Sequence, residues 1–86
     1  MPDYEVKWTE SSVKALEELN KVDSERILEK IETVSKTPFH YVKRLKGVPL
    51  YSLRIGKYRV IMSIERERLV ILILDIGNRK NVYDDL

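Results

Sequence analysis

The sequence lacks cysteine and has a single histidine, His40. Without thiols there is no disulfide, cysteine nucleophile or thiolate metal site, and one histidine in a basic loop offers no metal site either. Long apolar runs are also missing. The longest aliphatic stretch is residues 69–74, and the amino terminus has no basic flank followed by an apolar segment. We therefore expect no metal or cofactor, no membrane span, no secretion and a cytoplasmic location.

Acidic residues are missing from residues 33–64. That stretch carries seven cations, whereas the rest of the chain has nine basic and fourteen acidic residues, so a net charge of only +2 conceals a strong segregation. A positive region of this kind favours a polyanion, because phosphate contacts supply most non-specific affinity for nucleic acids. The alternative is that these cations only solubilise a loop. The seven are Lys36, Lys43, Arg44, Lys46, Arg54, Lys57 and Arg59.

The first half of the chain predicts a strand and two helices within a single domain, residues 1–86. Residues 4–8 alternate as a short edge strand does. The segment "TESSVKALEELNK" follows as a helix with Thr9 as its N-cap and apolar residues at helical spacing. A second helix is predicted from Asp23 or Ser24, and it must stop before Pro38.

The second half predicts a loop and three strands. Residues 38–49 have proline at both ends and are expected to form the loop. Strands are expected at residues 50–55, 58–65 and 69–75, and their short connections require antiparallel pairing. The last strand is apolar on both faces, which favours an internal position. The predicted fold class is α+β, in the order β-α-α-β-β-β, with a helical hairpin packed on a twisted antiparallel sheet.

The stretch "LRIGKYRV" predicts a tight hairpin with a definite register. Gly56 occupies the first central position that a type II′ turn requires, so Arg54 is expected directly opposite Arg59. Like charges in that arrangement cost up to about 1 kcal/mol. The alternation also places both arginines on the sheet face away from the core. An anion bound between them would explain why they are there.

Three motifs carry a resemblance to a known family. The segment "RLKGVPLYSLRIGKYRVIM", followed by "DIGNR" and by "VY" near the carboxyl end, resembles the RelE/ParE superfamily of bacterial and archaeal toxins over nearly the whole chain, and the RelE-like members most. The resemblance implies a toxin of a type II toxin-antitoxin system that cleaves messenger RNA on the ribosome. It also implies a cognate, RelB-like antitoxin as partner.

The resemblance also implies site residues. Arg59 of "YRV", Arg79 after "DIGN" and Tyr83 of "VY" match the catalytic residues, and Ser52 stands where many members have lysine. Arginines at these positions suit a developing phosphorane, and Tyr83 would either accept the proton of the attacking 2′-hydroxyl or stack on a base. The residues expected to bind RNA phosphates are Lys43, Arg44, Lys46, Arg54 and Lys57.

Two other functions remain open at the level of sequence. A ParE-like toxin shares the fold but inhibits DNA gyrase, and a plain RNA-binding module would bind RNA without cutting it. The combination of Arg59, Arg79 and Tyr83 favours cleavage. Each residue also has a structural interpretation, since the arginine stems can cover apolar surface and tyrosine is more often a packing residue than a catalyst.

Overall fold

The computed structural model describes residues 3–78, which form two helices and a five-stranded sheet. The elements follow the predicted order, with one short additional strand. They are β1 (Glu5–Trp8), α1 (Glu10–Glu17), α2 (Lys21–Val34), a 3-10 turn (Pro38–His40), β2 (Lys43–Arg44), β3 (Tyr51–Ile55), β4 (Tyr58–Glu65) and β5 (Val70–Asn78).

The sheet has the strand order β1-β5-β4-β3-β2, so β5 is internal, as its apolar faces predict. The pairs β5–β4, β4–β3 and β3–β2 are antiparallel, whereas β1 runs parallel to β5. The sheet is therefore mixed, and the expectation of a purely antiparallel sheet is wrong for this one pair. Only strands joined by tight turns must be antiparallel, and β1 is separated from β5 by both helices and the other strands.

Both helices begin at a polar cap. Thr9 caps α1 as predicted, with its side chain accepting a hydrogen bond from the Ser12 backbone N–H. Asn20 caps α2 by accepting a 2.8 Å hydrogen bond from the Asp23 backbone N–H, so α2 starts at Lys21, two residues earlier than predicted. An asparagine at that position is a strong N-cap, because its side-chain oxygen satisfies an amide that has no partner within the helix.

The other boundaries differ from expectation by more than one residue in three places. Helix α1 ends at Glu17, whereas the segment predicted to form it extends to residue 21. The predicted loop at residues 38–49 contains the 3-10 turn and the two-residue strand β2, which pairs with the start of β3. Strand β5 continues to Asn78, three residues beyond its predicted end, and β4 has the predicted bounds. Of the helices in residues 3–78, none is long and apolar enough to cross a membrane.

The core lies between the helices and one face of the sheet. Alternate residues of β3 and β4 supply its sheet side, because side chains alternate across a strand. The helices cover this face with the apolar stripe of α2, and the opposite face of the sheet is left for other roles. The buried members of the core are Ile27, Ile31, Val34, Leu53, Ile55, Val60, Met62, Ile71, Ile73 and Ile76.

Candidate functional site

The hairpin of β3 and β4 places Arg54 directly opposite Arg59. The predicted register is confirmed, and the turn has the type II′ signature, since Gly56 has φ +57° and Lys57 does not have positive φ. Leu53 and Val60, one residue inward on each strand, belong to the core. The arginines therefore project from the sheet face away from the helices, which we call the arginine face.

The register defines the other members of the arginine face. Lys43 of β2 pairs with Ser52, two residues before Arg54, so its side chain lies on the same face. Arg54 is exposed and Arg59 is half-buried. Between the charged groups, Ile61 is only 1% exposed although it is not part of the core cluster. The face thus combines cations from three adjacent strands with an apolar side chain.

Three of the predicted phosphate-binding residues lie around the arginine face and not on it. Arg44 pairs with Tyr51 and so points to the other side of the sheet, and Lys46 follows in the turn after β2. Lys57 occupies the β3–β4 turn, with its Nζ 5.5 Å from the centre of the Tyr58 ring. All three side chains are exposed. They add positive potential near the face, while Lys43, Arg54 and Arg59 form its centre.

Arg79 and Tyr83 lie outside the described residues. The last described segment of β5 pairs Gly77 with Arg59 and Asn78 with Tyr58. The structure therefore fixes the position of one of the three predicted catalytic residues. The roles expected for Arg79 and Tyr83 remain predictions from the sequence.

A β-bulge in β5 adds a carboxylate to the arginine face. Ile61 pairs with Asp75 and Met62 pairs with Ile73, so Leu74 is an extra residue. The extra residue changes which face the following side chains occupy. Asp75 therefore lies with Ile61 on the arginine face, and Ile76 points into the core. Sequence analysis missed this, although a polar residue at 75 followed by an apolar residue at 76 breaks the earlier alternation and is the available signal.

The hairpin turn is tied to α2 by one side-chain hydrogen bond. The Tyr58 hydroxyl donates to Asp23 Oδ2 at 2.7 Å, and Asn20 Nδ2 donates to the same oxygen at 3.1 Å. The bond from Tyr58 lowers the pKa of Asp23, and the Asp23 carboxylate raises the pKa of Tyr58. Within residues 3–78 it is the sole hydrogen bond between a helix side chain and a sheet side chain. It holds the turn between Arg54 and Arg59 against the first turn of α2.

The arrangement is chemically suited to binding phosphate. Guanidinium groups stay charged and offer paired donors to phosphate oxygens, and here two of them lie on neighbouring strands. No three histidine or carboxylate side chains are grouped to hold a metal ion in the described part of the chain. His40, predicted to be a surface residue, is exposed at the end of the 3-10 turn.

A known family model matches most of the chain. The family model of the ParE toxin of type II toxin-antitoxin systems, parDE, matches residues 6–83. No curated protein matches the sequence significantly.

Solved structures with the same fold are numerous. A chain of the archaeal RelE-RelB complex from Pyrococcus horikoshii is 34% identical, with 94% of this chain and 100% of that chain covered and a TM-score of 0.80. A chain of the RelBE2 toxin-antitoxin complex from Mycobacterium tuberculosis is 25% identical, with coverage of 91% and 100% and a TM-score of 0.82. A mutant of the Escherichia coli toxin RelE in the free state, 20% identical, shares the fold over 94% of this chain and 88% of that chain, with a TM-score of 0.79.

Proposed function

Because this chain belongs to the RelE/ParE superfamily of type II toxin-antitoxin toxins, we propose that it is a ribosome-dependent endoribonuclease that cleaves messenger RNA and so inhibits translation. The observation that carries the proposal is the pairing of Arg54 with Arg59 on the sheet face away from the helices. Two directly opposed cations repel each other, and a phosphate bound between them turns this repulsion into binding energy.

The proposed reaction uses the RNA's own nucleophile. The 2′-hydroxyl oxygen attacks the adjacent phosphorus, the bond from phosphorus to the 5′-oxygen breaks, and the products are a 2′,3′-cyclic phosphate and a 5′-hydroxyl. One proton leaves the attacking oxygen and one reaches the leaving oxygen, so no water is consumed. The protein has to align the groups, stabilise the charge of the phosphorane and move these protons.

Each site residue has a proposed role. Arg59 stabilises the phosphorane, and Arg79 does the same by family resemblance. Tyr83 handles a proton or stacks on a base, and its pKa would have to fall well below its usual value of about 10 if it acts as a base. The phosphates on either side of the cleaved bond are bound by Lys43, Lys46, Arg54 and Lys57, whereas Arg44, on the other side of the sheet, adds only positive potential.

The proposal includes a partner and a location. Solved relatives are complexes of RelE-type and RelB-type proteins, and this supports a cognate, RelB-like antitoxin for this chain as well. Ribosomes and messenger RNA would be the targets, and the cytoplasm would be the place of action.

Primer extension on ribosomes programmed with a defined messenger tests the proposal. The wild type is expected to cut the messenger only when ribosomes are present, and Arg59→Ala is expected to abolish the cuts while it keeps the wild-type circular dichroism spectrum. Arg68→Ala is the matched control, because Arg68 is exposed in the β4–β5 turn and paired with Glu65 at 3.1 Å. Intact messenger in the presence of wild-type protein and ribosomes would overturn the proposal.

Inhibition of DNA gyrase is the second candidate, favoured by the match to the ParE family model. It predicts that the protein blocks supercoiling by purified gyrase and leaves programmed messenger intact. Running the supercoiling assay on the same preparation therefore separates the two candidates. A protein that binds RNA, leaves the messenger intact and does not inhibit gyrase would be a plain RNA-binding module.

A further inference from the structure

A groove of about 420 Å³ lies where α2 passes the end of β3. One wall is a face of α2 that presents Arg26, Glu29, Lys30 and Thr33, and the other wall is the end of β3 with Arg54. Arg26 and Lys30 are four residues apart and so lie on one side of the helix. The groove begins at the edge of the arginine face, because Arg54 belongs to both.

The groove is electropositive. Three cationic side chains line it against the single carboxylate of Glu29. Within residues 3–78, none of the three cations makes an ion pair. The Lys30 Nζ lies 4.7 Å from the centre of the Tyr41 ring, and the Arg26 guanidinium lies beside Gly56 of the turn. With three cations against one carboxylate, the groove lining carries a net positive charge, which favours a bound anion.

The edge of β3 adds a backbone donor to this groove. β2 pairs only with Tyr51 and Ser52, so the rest of β3 has no strand on that side among the described residues. In a two-residue hairpin the flanking residues exchange both backbone hydrogen bonds, which assigns Ile55 to Tyr58. The backbone N–H and C=O of Arg54 then both point away from β4, at the strand edge where Arg54 lines the groove.

We propose that this groove binds the phosphodiester backbone of single-stranded RNA beside the cleaved bond. The inference rests on the proposed function and extends the RNA-binding surface to Arg26 and Lys30 of α2. Arg54 lines the groove and also lies opposite Arg59. An RNA strand that lies in the groove therefore continues onto the arginine face. A phosphate suits the site because charged side chains and a backbone N–H converge there. Proteins commonly bind phosphate oxygens with such groups.

Binding of an uncleavable RNA tests the proposal. The probe is a fluorescent single-stranded oligonucleotide with 2′-O-methyl groups, and its affinity is measured by anisotropy over a range of salt concentrations. The double variant Arg26→Ala/Lys30→Ala is expected to bind about tenfold more weakly, with a slope of log affinity against log salt reduced by about 1.4, since each phosphate contact on single strands contributes about 0.7.

Lys14→Ala/Arg68→Ala is the matched control. It removes two positive charges that are paired elsewhere, Lys14 with Glu10 and Arg68 with Glu65. The control is expected to keep the wild-type slope. If the slope of log affinity against log salt falls equally in both double variants, only the net charge of the protein matters, and the proposal is overturned.

Two further outcomes are informative. In the ribosome assay, the groove variant should need more substrate for half-maximal cleavage while the rate at saturation is unchanged, and a loss of the saturating rate would contradict a role in binding alone. If the wild type does not cleave the messenger but the salt slopes of the two double variants differ as expected, the proposed endoribonuclease function is wrong and the proposal of an RNA-binding groove is supported. A fluorescent glutamate-rich peptide that binds the groove more tightly than the RNA would overturn the proposal and assign the groove to a protein partner.

Discussion

The Thr9 hydroxyl oxygen lies 3.2 Å from the carbonyl oxygen of Leu74, the extra residue of the bulge in β5. The same oxygen accepts the N-cap hydrogen bond from the Ser12 backbone N–H at 3.1 Å. One side chain therefore starts α1 and satisfies a carbonyl where the strand pairing is disturbed. The start of the first helix is coupled in this way to the point that turns Asp75 onto the arginine face.

Replacing Thr9 should cost more than replacing an ordinary helix cap. Thr9→Ala removes the cap, worth about 1 kcal/mol, and the bond to Leu74, worth about 1 kcal/mol more. Asn20→Ala removes the cap of α2 and the bond from Asn20 Nδ2 to Asp23, and both are exposed, so it should lower the free energy of unfolding by less than Thr9→Ala, whose bonds are partly buried. Urea denaturation measures both, and Thr9→Ser should restore most of the loss. Equal costs for the two alanine variants would show that the bond to Leu74 contributes nothing.

Removing the Tyr58 hydroxyl should loosen the hairpin turn. Tyr58→Phe deletes the bond to Asp23 and leaves the ring in place, so the urea midpoint at pH 7 should fall. Tyr41→Phe is the control, because Tyr41 is exposed and contacts Lys30 through its ring. A midpoint that falls equally in both variants would contradict a specific role for the Tyr58 hydroxyl.

The Asp23–Tyr58 bond should also make stability depend on pH in a defined window. The lowered pKa of Asp23 gives stability above its ordinary value of 3.8, and this stability is lost as the pH falls through the lowered pKa. The raised pKa of Tyr58 gives stability below 10.0, lost as the pH rises through the raised pKa. Wild type and Tyr58→Phe should therefore differ most between these limits and converge outside them. Denaturant titrations across pH measure the difference, and a constant difference would refute the assignment.

Weakening the arginine pair should stabilise the free protein. Arg54→Thr removes a cation that opposes Arg59 and lies near Arg26 and Lys30, and threonine suits a strand. The free energy of unfolding should rise by up to about 1 kcal/mol at low salt, and by less at high salt, where the repulsion is screened. Lys14→Thr, which breaks an ion pair on α1, is the control and should give no gain. A loss of stability in Arg54→Thr would mean that its stem packs more than its charge repels.

Local chemistry made much of the fold predictable. The cap at Thr9, the glycine of the β3–β4 turn and the apolar alternation are all short-range signals, and the elements built on them lie where expected. The parallel pairing of β1 was missed, because it depends on where a distant strand is left unpaired. The bulge at Leu74 was missed since bulges are set by register across strands and leave only a weak mark on the alternation.

The site was predictable to a similar extent. The hairpin register alone places Arg54 opposite Arg59, and the structure confirms it. Arg44 was grouped with these residues on charge, and the pairing of β2 turns it to the other side of the sheet. Nothing in the local sequence brings Arg26 and Lys30 to β3, because that contact depends on how α2 packs across the sheet.

The strand order also determines when the first strand can join the sheet during synthesis. Glu5 pairs with Val70, about 65 residues later, so β1 has no partner until β5 has been synthesised. At a synthesis rate of about 5–20 residues per second, that wait lasts roughly 3 to 13 s. Contacts so distant in sequence also slow folding after synthesis. A newly made chain therefore passes through a period in which the helices and the β3–β4 hairpin with Arg54 and Arg59 are present while β1 is still unpaired, and the parallel β1–β5 pair completes the sheet last.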